Sequence, residues 1–118
     1  MKPLASYLKR TTVLRGVTLW RIGDKSDSLY IVESGVLRAT YRFPSGSFSE
    51  SMVSGTLAGE MSFLSDTPRN TEVIVEKQAV VWKLTREEMQ RLEKENPDFA
   101  KVFVRLVLKG SFPMHKLC

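Results

Sequence analysis

Cysteine and histidine are almost absent from this sequence of 118 residues. The lone cysteine, Cys118, is the last residue, so no disulfide can form within the chain and nothing calls for an oxidising compartment. The lone histidine, His115, stands near the C-terminus, whereas the metal sites of small barrel enzymes usually take two or three imidazoles. A serine or cysteine nucleophile would lack a histidine to serve it, and no Gly-Lys-Ser phosphate loop or dinucleotide fingerprint occurs. No catalytic or metal-ligating residue is assigned, and the chain reads as a non-enzyme without a cofactor.

Long apolar runs are missing as well. The most apolar helical stretch, residues 99–108, is cut by Lys101 and Arg105, well short of the ~20 residues that a bilayer span needs. After Lys2, the residues Ser6, Tyr7, Lys9 and Arg10 stand where a signal peptide would carry its apolar core. A cytoplasmic soluble domain with no direct membrane insertion is expected, possible attachment to a membrane protein aside. Lys and Arg number 18 against 13 Asp and Glu, a net charge of +5 that suits an anionic partner. These charges are scattered, so no basic arm for nucleic acid is expected.

What is present is enough apolar material, 42% of residues, to fill one core at this length. From Thr11 to Leu84 short alternating segments are punctuated by Gly, Pro, Asp and Ser. Strands are expected at Val13-Leu14, at Leu19 to Ile22 before the Gly23-Asp24 turn, and at Leu29 to Val32 before Ser34-Gly35. The alternation of Leu37, Ala39, Tyr41 and Phe43, returned by residues 44–47 into Phe48, Glu50 and Met52, predicts a hairpin with one buried face. Thr71 to Glu76 and Ala79 to Leu84 complete a set of seven or eight strands, the pattern of a jelly-roll β-barrel.

At Thr85 the pattern turns helical. Thr85 and Glu88 form a capping-box signature, and Asn96-Pro97 starts a second helix whose Phe99, Val102, Phe103, Leu106 and Val107 make an apolar stripe ended by Gly110 and Pro113. The organisation is therefore a helical lead-in at 1–10, a mainly β barrel at 11–84 with flanking helices, two C-terminal helices at 85–110 and a tail at 111–118. Asp24 and Asp27 read as turn formers, and Trp20 and Trp82 as core residues.

One segment, residues 55–73, carries chemistry. It reads as a short helix inside the barrel, with Gly59 admitting a close backbone approach, the free amides of Glu60, Met61 and Ser62 facing an anion, and Arg69 returning a guanidinium to the same place. A carboxylate at Glu60 would repel phosphate, so its target is a neutral hydroxyl pair such as a sugar's. Taken singly, Glu60 also suits a helix-end acid, and Arg69 after a proline a turn residue that contributes little to the core.

Together, Gly59-Glu60, the short helix and Pro68-Arg69 before a strand resemble the phosphate-binding cassette of the cyclic nucleotide-binding domain family. The resemblance runs from Tyr7 to Lys109 and includes Leu19 to Gly35 and the helices around Glu95-Asn96-Pro97-Asp98. Residues 29–59 look most like the C-terminal regulatory domain of fungal sulfate-permease-type (SulP) anion transporters. The resemblance implies a regulatory or sensor module that binds cAMP or cGMP through Gly59, Glu60, Met61, Ser62, Arg69, Asn70 and Thr71. Glu60 would accept from the ribose 2′-hydroxyl and Arg69 would pair with the cyclic phosphate. The C-terminal helices would relay occupancy to a neighbouring domain or subunit, a membrane transporter among the candidates.

Three departures feed an alternative, a barrel that keeps the fold for docking or assembly and binds no nucleotide. Asn70 stands where the family usually has Ala, Thr or Ser, a position linked to the choice between adenine and guanine. Glu72 brings a second carboxylate near the entrance. The last helix stops near Gly110, before the residues that cover the base in many members. No helix-turn-helix follows the barrel, so a complete transcription factor of the family's bacterial type is not expected.

Overall fold

A computed structural model describes residues 3–117, so the readings that rest on Lys2 and Cys118 lie outside the described residues. The described residues form six strands, β1 (Lys9–Val13), β2 (Thr18–Trp20), β3 (Ser28–Phe43), β4 (Gly46–Met52), β5 (Leu57–Ala58) and β6 (Glu72–Thr85). Helix α1 (Glu60–Ser65) lies between β5 and β6, and α2 (Arg86–Glu95) and α3 (Pro97–Leu108) follow the sheet. The strands pair antiparallel in the order β1-β6-β3-β4, with β2 on β6 and β5 on β3, which is the jelly-roll arrangement of a mainly β domain with flanking helices.

Two long strands replace four expected short ones. β3 runs straight through Ser34-Gly35, where its register on β6 shifts between Val32 and Leu37, because Gly35 takes φ +82° and passes the kink without ending the strand. β6 likewise joins the segments predicted at Thr71 and Ala79. Bends inside two long strands thus do what separate strands and turns were expected to do.

Inward alternation on these strands builds the core in two parts. Trp20, Val32, Leu37, Ala39, Met52, Val73, Val75 and Val81 fill the barrel. Leu29, Ile31, Leu84, Met89, Leu92, Phe103 and Val107 join it to the helices. The predicted buried face of the hairpin stops early: Leu37 and Ala39 are buried, but Phe43 and Phe48 are exposed. The reason is topological, since β3 pairs with β6 only as far as Thr40–Glu72 and continues beyond it with β4 alone. Leu14 and Ile22, expected in strands, are also exposed, lying just past the ends of β1 and β2.

The helix signals hold locally and differ in detail. The Thr85 hydroxyl accepts from the Glu88 amide at 3.2 Å, but the Glu88 carboxylate binds Arg91 Nε at 2.9 Å instead of closing the capping box. Asn96 Oδ1 accepts from the Phe99 amide at 3.2 Å, with Pro97 opening α3. The buried face of α3 is Ala100, Phe103 and Val107, and Val102, expected in the stripe, is exposed. The first residues, Leu4–Tyr7, form a 3-10 turn, and Lys9 and Arg10 of the expected lead-in already belong to β1.

Past α3 the chain folds back onto the barrel. Phe112 is buried, its amide donates to the Gly55 carbonyl at 2.7 Å, and Ser111 bridges Thr56. A 3-10 turn at Met114–Leu117 then buries Leu117. Among the described residues no helix is long and apolar enough to cross a membrane.

Candidate functional site

β5 delivers the chain to Gly59, which takes φ +79° and turns it into α1. A cavity of about 300 Å³ opens beside this turn. One wall is the cassette, Gly59, Glu60, Met61 and Ser62 with Asn70 and Thr71. The other is the β3–β4 hairpin, with Tyr41, Glu50, Ser51 and Met52, and Trp20 and Val73 also line the space. Gly110 reaches the rim, carried there by the strap at residues 110–112. That strap stands near the place where a longer last helix would have continued.

Six of the seven predicted site residues therefore share one cavity, in different roles. Glu60 is half-buried at the start of α1. Burial, and secondarily the nearby Glu50 carboxylate, push the Glu60 carboxyl above its usual range, against the opposing pull of its own backbone hydrogen bond and of Arg69. Met61 lines the opening but is mostly exposed. Ser62 is buried, and its hydroxyl accepts from Arg69 Nη1 at 3.0 Å. Thr71 is buried and accepts from Trp20 Nε1 at 3.4 Å, while Asn70 is exposed at the wall.

Arg69 is the exception. It does not line the cavity but lies behind the cassette turn, only 3% exposed. Its Nη1 donates to the Gly59 carbonyl at 3.0 Å and to Ser62 Oγ, its Nη2 donates to the Ser28 carbonyl, and its guanidinium stacks 4.0 Å from the Trp20 ring centre. Its Nε is buried and has no hydrogen-bond partner among the described residues. Burial lowers the guanidinium below the ordinary arginine range. The expectation that an arginine in this turn contributes little to the core is corrected, because the fork ties β3, the Gly59 turn and α1 together.

Glu72 does not crowd the entrance as expected. It pairs with Arg42 at 3.3 Å, and Arg38 pairs with Glu76 along the same face. Asp24 accepts from the Arg21 amide at 2.9 Å, the turn role read from its position. Trp82 donates to Glu33 at 2.8 Å from a half-buried position. Glu50 and Tyr41 are cavity residues that sequence reasoning did not single out. The available signal was the alternation Phe48, Glu50, Met52, which puts Glu50 on the same strand face as the buried Met52, although Phe48 and Glu50 are themselves exposed.

The charge state of Glu60 has a measurable consequence. Its folded pKa is raised, so between the unfolded and folded values the folded chain holds more protons, and stability falls as pH rises through that window. Glu60→Gln removes the ionised group and is expected to raise the melting temperature at pH 7, with the gain closing below about pH 4 where the parent is protonated too. A melting series across pH checks this, and a gain that grows toward low pH would contradict it.

Comparison with known proteins gives the family and the fold. An uncharacterised NTE family protein from Mycobacterium tuberculosis (strain ATCC 25618 / H37Rv) is 26% identical over 109 residues, 92% of this chain and 18% of that protein. The chain thus spans less than a fifth of the length of the curated relatives it matches. The N-terminal domain of a transcriptional regulator from Streptomyces coelicolor A3(2) superposes with a TM-score of 0.79 at 25% identity, over 90% of this chain and 77% of that one. The catabolite activator protein of Thermus thermophilus gives 0.77 at 26% identity, over 89% of this chain and 50% of that one. The sequence model of the cyclic nucleotide-binding domain matches residues 10–96, more than half of the chain, and this protein belongs to the cyclic nucleotide-binding domain family.

Proposed function

We propose that this chain is a non-catalytic regulatory module that binds cAMP or cGMP in the cavity between the cassette and the β3–β4 hairpin. The observation that carries the reading is the convergence of Gly59, Glu60, Met61, Ser62, Asn70 and Thr71 on one cavity. Glu60 accepts from the ribose 2′-hydroxyl, which a carboxylate does without repulsion. The cyclic phosphate sits at the Gly59 turn, and Arg69 swings its guanidinium toward it.

That swing supplies a relay. Leaving the back of the cassette releases the carbonyls of Ser28 and Gly59 and the Ser62 hydroxyl. Arg86, the first residue of α2, holds the adjoining carbonyls, Ser26 at 2.7 Å and Phe63 at 2.9 Å, so a shift of α1 reaches the C-terminal helices through it. The strap at residues 110–112 ties the end of α3 to the same rim. The output is a neighbouring domain or subunit in the cytoplasm. An anion transporter as that output is supported by the strand likeness of residues 29–59 alone.

A second reading, a docking module that binds no nucleotide, is favoured by Arg69 facing away from a cavity that two carboxylates line. Thermal denaturation separates the two. A nucleotide at about 100 times its dissociation constant stabilises the folded state by about 2.7 kcal/mol, a rise of roughly 10 °C at this chain length. No shift with millimolar cAMP or cGMP favours docking.

A further inference from the structure

The hairpin wall of the cavity carries a carboxylate that the reading above does not use. Glu50 pairs across the hairpin with Ala39 and lines the cavity from an exposed position on β4, two residues before the buried Met52. The Tyr41 hydroxyl donates to Glu50 Oε1 at 3.1 Å. This bond orients the carboxylate and leaves it further acceptor capacity, since an ionised carboxylate offers about four acceptor sites. No counter-charge meets it in the cavity: among the described residues no Lys or Arg lines the space, and the nearby hairpin arginines pair outside it, Arg38 with Glu76 and Arg42 with Glu72. An oriented, accessible acceptor with no cation beside it fits a ligand that presents hydrogen-bond donors at this wall.

We propose that Glu50 makes the site selective for guanine over adenine by accepting from N1–H and the 2-amino group of the base of cGMP. The proposal rests on the assignment of the cavity as the nucleotide site with the ribose at Glu60. With the sugar and phosphate at the cassette, the base extends toward the wall formed by Tyr41, Glu50 and Met52. The Watson–Crick edge of guanine offers two adjacent donors, N1–H and N2–H, and one carboxylate accepts both side by side. Adenine offers there the lone pair of its N1, with its only donors on N6, so the same carboxylate faces an acceptor. The second carboxylate on the cavity, Glu60, is committed to the sugar in this arrangement, so the two acids read different parts of one ligand.

The test is a calorimetric titration of the parent chain and of Glu50→Gln with cGMP, cAMP and cIMP, the last keeping N1–H but lacking the 2-amino group. A bidentate pair that discriminates between bases is typically worth about tenfold or more in affinity. The parent should bind cGMP at least about tenfold tighter than cAMP, with cIMP between them. Glu50→Gln should bring the cGMP to cAMP ratio close to one by weakening cGMP, because a glutamine offers one acceptor and one donor. Glu50→Ala, read alongside with melting curves as a control for folding, should do the same. If both nucleotides bind but the ratio is unchanged by either variant, or if the parent prefers cAMP, Glu50 does not read the base and the inference falls while the nucleotide site stands. If none of the three binds, the nucleotide reading itself fails and the inference fails with it.

Discussion

Arg69→Ala is expected to lower the melting temperature of the ligand-free domain by roughly 10–15 °C, corresponding to about 2–4 kcal/mol. The size follows from what the guanidinium holds. Removing it takes one charged donor from the carbonyls of Ser28 and Gly59 and from the hydroxyl of Ser62, although the Gly59 carbonyl keeps the Phe63 amide at 3.1 Å and the Ser62 hydroxyl its 3.4 Å bond to Gly59. A hydrogen bond with a charged partner contributes about 1.5–3 kcal/mol, and the retained bonds offset part of the three lost here. The stacking on Trp20 at 4.0 Å is lost as well. Against these stands the relief of burying a cation, whose desolvation is evident in the lowered pKa of this arginine. The losses outnumber the relief.

Arg69→Lys should recover only part of the stability, because an ammonium cannot span acceptors on three segments as a planar fork does. Nucleotide affinity of the Ala variant should fall by about 2–5 kcal/mol, the usual consequence of removing one partner of a desolvated charge pair. An unchanged melting temperature for the Ala variant would show that the fork behind the cassette holds nothing together.

Gly35→Ala should have the largest effect on folding, a loss above about 4 kcal/mol that leaves little folded protein at 37 °C. Gly35 sits at the kink of β3 with φ +82°, and a methyl group there meets the backbone of the paired strand: the Gln78 carbonyl oxygen, and Ala79 Cα at 2.5 Å. These atoms belong to the β3–β6 ladder, so room is made only by parting the two longest strands. Gly23→Ala supplies the control. Gly23 has nearly the same φ, +91°, with nothing within 4 Å of the added carbon, so only the left-handed penalty of about 1–2 kcal/mol applies. Equal losses for the two variants would place the whole effect in backbone conformation and none in the close approach.

The contrast between these glycines shows what was legible in the sequence and what was not. Turn chemistry is local, so Asp24 capping its turn, Asn96 capping α3 and Gly59 turning into α1 followed from neighbouring residues. Gly35 could be read as a point of positive φ, but its near contact with residues 78 and 79 exists only once β3 and β6 pair. The strand count erred for the same reason, since a kink and a turn look alike until the partner strand is known.

At the site, Gly59 directly precedes the six-residue helix that Glu60 opens, and both were legible in the local sequence. The placement of Arg69 was not, because its acceptor Ser28 lies 41 residues earlier on another strand. Glu50 was within reach of sequence reasoning. Its strand face followed from alternation, and the cavity that it borders required the fold.

The central claim is that the cavity beside Glu60 holds a cyclic ribonucleotide through its 2′-hydroxyl. Calorimetric titration of the purified chain with cGMP, cAMP and their 2′-deoxy analogues, on the parent and on Glu60→Gln, tests it most directly. The account predicts one ribonucleotide bound per chain, weaker binding of the deoxy analogue, and weaker ribonucleotide binding by Glu60→Gln with little further loss for the deoxy analogue, since two changes that remove one interaction do not add. Equal binding of ribo and deoxy forms by the parent, or no heat with any of them at millimolar concentration, would contradict it.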